Sequence, residues 1–138
     1  MSECHIKNKK MGKCIFCKII KGEIPCVKIW EDEKYLAFLD VNPVKPGHTL
    51  LIPKKHDAYI FDLEDFEYQE LMLKARIISK ILKTKLNPPK IGMVIEGFGV
   101  DHIHIHLVPI HKSAELDPNM AKPASVEEIQ KIADIILK

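Results

Sequence analysis

Nine residues, Asp101-His102-Ile103-His104-Ile105-His106-Leu107-Val108-Pro109, constrain this chain more than any other stretch. A β-strand sends alternate side chains to opposite faces, so this pattern predicts His102, His104 and His106 on one face and Ile103, Ile105 and Leu107 on the other. A row of imidazoles is poor core material, because every buried ring needs hydrogen-bond partners. A merely solvated histidine face is the bland alternative. The functional ones are a metal site or a nucleophile with helpers, since histidine serves both uses near neutral pH.

The rest of the chain predicts how that row is supported. Its 138 residues suit one domain with a real core. A formal charge of only +2 gives no case for nucleic acid. Apolar runs are too short to span a bilayer, and residues 1–12 are polar and basic without a signal-peptide core, so no membrane partner is expected and the expected location is cytoplasmic, with the nucleus as an alternative. Residues 1–12, with Cys4 and His5, read as a disordered tail, and residues 13–138 as the domain.

Cys14–Ile20, ended by Gly22, reads as a short helical piece. Val27–Glu31 and Tyr35–Leu39 read as a hairpin, Asn42–Gly47 as a proline-stiffened loop, and His48–Pro53 as a third strand. Asp62 is the expected cap of a helix running from Asp65 toward Leu86, with Leu71, Ala75, Ile78 and Leu82 on its buried stripe. Met93–Glu96 is the expected fourth strand and the histidine row the fifth. Ser125-Val126-Glu127-Glu128 reads as a capping box opening a terminal helix whose apolar side is Val126, Ile129, Ala133 and Ile136. Lys54 and Lys55 read as a solvated face. The order of elements predicts an α+β fold: a five-stranded antiparallel sheet with one long helix and a C-terminal helix.

Four cysteines in a domain of this size do not resemble a disulfide scaffold. Cys14-x-x-Cys17 by itself fits a zinc half-site, a redox pair or two small buried residues about equally well. The supply of imidazoles favours zinc, because tetrahedral zinc closes with two thiolates and two histidines. No βαβ unit of the kind a redox pair occupies is visible.

Taken together, Cys-Ile-Phe-Cys-Lys-Ile-Ile (14–20), Gly-Glu-Ile-Pro (22–25), Ala-Phe-Leu-Asp (37–40), Pro-Gly-His-Thr-Leu-Leu-Ile-Pro-Lys-Lys-His (46–56) and His-Ile-His-Ile-His-Leu-Val-Pro (102–109) resemble the histidine triad (HIT) family, in order and across most of the chain. The resemblance implies a homodimeric α+β protein that binds purine nucleotides such as AMP or an adenylate conjugate. The implied activity is hydrolysis or transfer at the α-phosphate of a phosphoramidate or dinucleoside polyphosphate, and the alternative is a nucleotide-binding or partner-binding module with weak turnover. It further implies that His104 is the nucleophile, that His106 binds phosphate oxygen and assists the leaving group, and that His48 also reaches the phosphate. Ile15, Phe16, Ile19 and Phe38 would sandwich the base, with Val41 beside them, and Asp40 would accept the ribose hydroxyls. Cys14, Cys17, His56 and His102 would hold a structural Zn²⁺. The chain departs from the family where Phe98 and Gly99 replace a polar pair, where Ile95 replaces an asparagine, and where no arginine follows Pro109. Glu96 and Asp101 flank that altered stretch, as surface turn residues or as contacts for a cationic leaving group such as an amine.

Overall fold

A computed structural model describes residues 13–138, so the expected tail, with Cys4 and His5, lies outside the described residues. The described elements are α1 (Ile15–Ile20), β1 (Lys28–Glu31), β2 (Tyr35–Leu39), β3 (Thr49–Pro53), a 3₁₀ turn (Ile60–Asp62), α2 (Asp65–Leu86), β4 (Lys90–Val94), β5 (Ile105–Ile110), a second 3₁₀ turn (Pro118–Met120) and α3 (Val126–Leu137). The five strands form one sheet in the order β1-β2-β3-β5-β4, every pair antiparallel. The α+β expectation is met.

Strands β2 and β3 are buried at every position because both of their faces are covered. On one face Tyr35, Ala37, Leu39, Leu51, Ile105 and Leu107 pack with Leu71, Ala75, Ile78 and Leu82 of α2 and with Ile129, Ala133 and Ile136 of α3. Leu36, Phe38, Leu50 and Ile52 face the other way, against Cys14, Phe16 and Cys17 of the α1 segment. Truncating a fully buried residue such as Leu51 to alanine would cost on the order of 2–5 kcal/mol, through lost transfer energy and the cavity left behind.

Several elements differ in detail from the sequence reading. Asp62 closes the 3₁₀ turn rather than capping α2, whose N-cap is Glu64 without a side-chain bond, because Leu63 and Glu64 are extended between the two helices. Asn87, in the left-handed region at φ 55°, ends α2, and its N–H bonds the Lys83 carbonyl. The capping box is present: Ser125 Oγ accepts from the Glu128 amide at 3.1 Å and Glu128 Oε1 from the Ser125 amide at 2.9 Å. Val126, as the first helical residue, stays 75% exposed and is not part of the buried stripe. Lys54 and Lys55 are engaged in ion pairs, with Glu31 at 2.7 Å and Glu67 at 3.1 Å.

Strand β4 begins at Lys90 rather than Met93, leading directly out of the Asn87-Pro88-Pro89 turn, and it ends at Val94. Pairing in β5 begins only at Ile105, opposite Leu51. Toward His102 the partner strand runs out at Pro53, which has no N–H to give. Its carbonyl bonds His102 Nε2 instead, at 2.8 Å, and the Ile103 amide turns to the Asp57 carbonyl, also at 2.8 Å. Side-chain alternation persists through this unpaired stretch, so Ile103 joins the core beside Ile105 and Leu107. No helix among the described residues is long and apolar enough to cross a membrane.

Gly47 joins the proline loop to β3 at φ +92°, where a side chain is strained. A Cβ there would also lie 2.5 Å from Leu86 Cδ1 and 3.1 Å from Pro109 Cγ. Gly47→Ala is expected to destabilise the fold by about 1–3 kcal/mol, the usual range for forcing φ > 0 on a side chain. A urea unfolding midpoint equal to that of the natural chain would show that the turn does not need glycine.

Candidate active site and metal-ligand cluster

Cys14 is the N-cap of α1, and its Sγ accepts from the Cys17 amide at 3.4 Å. A two-residue spacing at a helix start therefore places both sulfurs on the sheet side. His56, beyond the end of β3, and His102, on the approach to β5, complete a cluster in which all four side chains are buried. Its separations are Cys14 Sγ to His102 Nδ1 3.4 Å, Cys17 Sγ to His56 Nδ1 3.2 Å, Cys17 Sγ to His102 Nδ1 3.7 Å, and His102 Nδ1 to His56 Nδ1 3.2 Å. A tetrahedron built with zinc bonds of about 2.0–2.3 Å has edges of roughly 3.3–3.8 Å, so these donors fit one small ion with little adjustment. His102 Nε2–H donates to the Pro53 carbonyl, which turns the Nδ1 lone pair toward the cluster. Burial pushes its pKa down to about 4, keeping it in the neutral form that a metal ligand requires.

His104 follows two residues later and is also buried. Its Nδ1–H donates to the His102 carbonyl at 2.7 Å, which fixes the tautomer and leaves the Nε2 lone pair unshared with that bond. Phe16 stands edge-on to this ring at 5.1 Å between centroids, and edge-on to His102 at 5.7 Å. The short helix that carries the two cysteines thus also presses on the two histidines.

The third member, His106, belongs to a second group with Asp40 and His48. Its hydrogen bonds form a directed chain. The Val44 amide donates to His48 Nδ1 at 3.0 Å, so in neutral His48 the proton sits on Nε2. That N–H donates to His106 Nδ1 at 2.9 Å, and neutral His106 consequently carries its own proton on Nε2. Asp40 Oδ2 lies 3.6 Å from His48 Nε2. A proton on His48 Nε2 disfavours a metal here, although the three donors lie close together. The chemistry this group offers is a directed N–H, and the chemistry of the Cys14 cluster is ligation. Burial lowers the pKa of His48, opposed by Asp40. Burial, helped by His48 and His104, brings His106 down to about 4.

The expected base-binding residues divide into two sets. Phe16 and Phe38 are buried and meet edge to face at 5.9 Å, whereas Ile15 and Val41 remain 43% and 60% exposed, with Ile19 half-buried between these extremes. Two residues thus form a floor and two keep apolar surface open above it. Asp40 directly follows β2, and its Oδ1 accepts from the Asn42 amide at 2.9 Å. On the β4 side of His106 lies a cavity of about 270 Å³, bordered by Val94, Glu96, Val108, Leu116 and Pro118 as well as by Asp40 and His48. Glu96 borders it. Asp101 does not: it lies by Cys14, Ile15 and His56, and the replaced pair contributes only an exposed Phe98 and a glycine. Sequence reading missed the Val44 amide and the Pro53 carbonyl, because main-chain groups leave no residue signature. It also missed Leu116 and Pro118, which lie in a segment without periodicity.

The HIT domain profile matches residues 21–113. The chain is 41% identical over 102 residues to the adenosine 5'-monophosphoramidase hnt1 of Schizosaccharomyces pombe, covering 70% of this chain and 73% of that protein. Its fold is similar to a crystal structure of a Hit-like protein from Bartonella henselae, with a TM-score of 0.80, 28% identity and coverage of 91% and 95% of the two chains. A zinc-bound histidine triad family protein from Mycobacterium smegmatis superimposes with a TM-score of 0.77 at 26% identity, covering 91% of each chain. The chain belongs to the histidine triad family.

The histidine chain predicts an acid sensitivity. Unfolded histidine titrates near 6.5, and His106 folded near 4, so between those values the unfolded chain binds the extra proton. Stability from this source is complete above about pH 6.5, falls as the pH drops, and stops falling near 4; buried His48 adds to it with the same sign. Melting temperatures measured from pH 7.5 to 4 should decline less steeply in His106→Asn than in the natural chain. Parallel curves would remove His106 from this account.

Proposed function

We propose that this chain is a zinc-containing HIT-type nucleotide hydrolase that cleaves a purine nucleotide conjugate, a phosphoramidate or a related adenylate, at its α-phosphate through a nucleotidyl-His104 intermediate. The observation that carries this reading is the 2.7 Å bond from His104 Nδ1 to the His102 carbonyl, which prepares Nε2 as a neutral nucleophile. Nε2 forms the bond to phosphorus as the bond to the leaving group breaks, and water then releases the nucleotide and restores His104. His106 presents its Nε2–H to a phosphoryl oxygen and assists departure of the leaving group. His48, in the 2.9 Å bond to His106, keeps that N–H outward at the phosphate. Ile15, Phe16, Ile19, Phe38 and Val41 hold the base, and Asp40 accepts the ribose hydroxyls, natural donors to a carboxylate. The monophosphoramidase activity named for the fission-yeast relative supports the choice of substrate.

Zinc on Cys14, Cys17, His56 and His102 has a structural role in this reading. Four protein ligands leave no open position for a metal-bound hydroxide, and two thiolates balance the ion's charge. The same proposal includes a homodimer. Leu73 and Ile77 on α2 are 50% and 41% exposed, and Met93 on the edge strand β4 is 44% exposed, apolar side chains that a partner subunit would bury. Native mass spectrometry is expected to show a dimer with about one zinc per chain, the number set by one four-ligand site. A metal-free mass after chelator-free purification would overturn the zinc reading, and a monomer at micromolar concentration would overturn the dimer.

The test of function is His104→Asn. Turnover of adenosine 5'-phosphoramidate should fall by several orders of magnitude, in kcat rather than KM, while AMP binding survives. In the natural chain a rapid-quench intact mass should show AMP on His104. Near-normal kcat in the variant, or binding without turnover in the natural chain, would overturn the hydrolase reading.

A further inference from the structure

An in-line displacement puts the leaving atom on the side of phosphorus away from the nucleophile. The base-binding set lies toward β2 and α1, so the leaving group of the proposed reaction has the cavity on the β4 side of His106 to occupy. That cavity, about 270 Å³, is bordered by Val94 and Val108 from the sheet and by Leu116, Pro118 and Ala121 from the segment after β5. These apolar walls suit an alkyl chain. Two carboxylates, Asp40 and Glu96, border the cavity, and among the described residues no lysine or arginine does. Asp40 already accepts the Asn42 amide and is assigned to the ribose, whereas Glu96 has no ion pair with another described residue. A polyphosphate leaving group would bring at least one more negative charge beside Asp40 and Glu96, with only the neutral His48, His106 and Asn42 side chains as polar company.

The wall opposite the sheet is a built feature. Leu116 lies directly over Gly92 of β4, where a Cβ would come within 2.9 Å of both Leu116 methyls and 3.2 Å of Ile110 Cδ1. The neighbouring Glu115 carboxylate is buried, accepts from the amides of His111 at 2.6 Å and Lys112 at 3.3 Å, and pairs with Lys45 Nζ at 2.8 Å. Lys45 belongs to the loop whose Val44 amide orients His48. One ion pair therefore ties the cavity wall to the loop that sets the histidine chain. Two main-chain bonds, Lys122 N to Pro43 O at 3.3 Å and Ala124 N to Val41 O at 3.1 Å, add to that seam.

We propose that Glu96 is a specificity-determining residue and that, with the apolar wall of Val94, Val108, Leu116 and Pro118, it forms a leaving-group subsite selecting nucleotide conjugates of alkyl amines whose far end is cationic, over conjugates with neutral or anionic leaving groups. The proposal rests on the hydrolase reading above and adds the charge of the leaving group to it. The Glu96 carboxylate is exposed to solvent, so its attraction for a cation a few ångströms away should amount to about a five- to tenfold preference, and it should weaken with salt.

The experiment compares three adenosine 5'-phosphoramidates of equal chain length, made from 1,4-diaminobutane, butylamine and 4-aminobutyrate, with the full metal-loaded chain and its E96Q and E96K variants. Within each protein kcat/KM is expressed relative to the butylamine conjugate, which cancels any general loss of activity. The natural chain should favour the diaminobutane conjugate and disfavour the aminobutyrate one. E96Q should bring both ratios close to one, and E96K should invert them. Turnover of all three substrates at equal rates by the natural chain, or ratios unchanged in E96Q, would overturn the subsite while leaving the hydrolase intact. No turnover of any of them would overturn the hydrolase reading and the subsite with it.

Discussion

Two hydrogen bonds from imidazole rings to main-chain carbonyls hold the centre of this molecule together: His102 Nε2 to Pro53 O and His104 Nδ1 to His102 O. Each removes one nitrogen from use and dedicates the other. Because the two rings use opposite nitrogens, one presents Nδ1 to the thiol cluster and the other leaves Nε2 free of that bond, as the proposed reaction requires. Strand periodicity puts both rings on one face, but these bonds decide which nitrogen each ring offers. The premature end of β3–β5 pairing makes this possible, since the Pro53 carbonyl faces His102 instead of a ladder amide.

Burial sets the terms on which these rings operate. Burial favours the neutral form of His48, His102 and His106, and a buried imidazole N–H needs a partner. His48 and His106 solve the problem jointly, with one chain running from the Val44 amide through both rings. The direction of the chain is set at its origin, because an amide can only donate. A backbone group in a proline-stiffened loop therefore determines which nitrogen His106 offers to a ligand. Pro43 and Pro46 bracket that loop, and its rigidity is part of the site.

Most of the framework was legible because it rests on side-chain periodicity. The 4-3-4 spacing of Leu71, Ala75, Ile78 and Leu82 gave the buried stripe of α2, and Ser125 with Glu128 gave the start of α3. The four thiol-cluster residues could be chosen from their types and from the family blocks. The bounds of β4, the late start of β5 and the cap of α2 were not legible, since strand pairing and 3₁₀ turns depend on what lies opposite in space. The same limit applies to the site. His48 reads from sequence as a residue reaching phosphate, and only the Val44 contact reveals its hold on His106. Glu96 and Asp101 read as equivalent flanking acids until the fold sends them to different cavities.

The candidate metal-ligand cluster and His104 are also linked mechanically. Helix α1 has only six residues, too short to persist on its own helix propensity. It is held by the burial of Phe16 and Cys17 and by whatever joins its two sulfurs to His56 and His102. Phe16 lies one residue before Cys17 and packs against His104. An ion binding the four donors would therefore fix the aromatic wall beside His104 without touching that ring. Losing it would loosen α1 and admit water around His104. In the proposed reaction a structural ion would act through packing, by holding Phe16 in place.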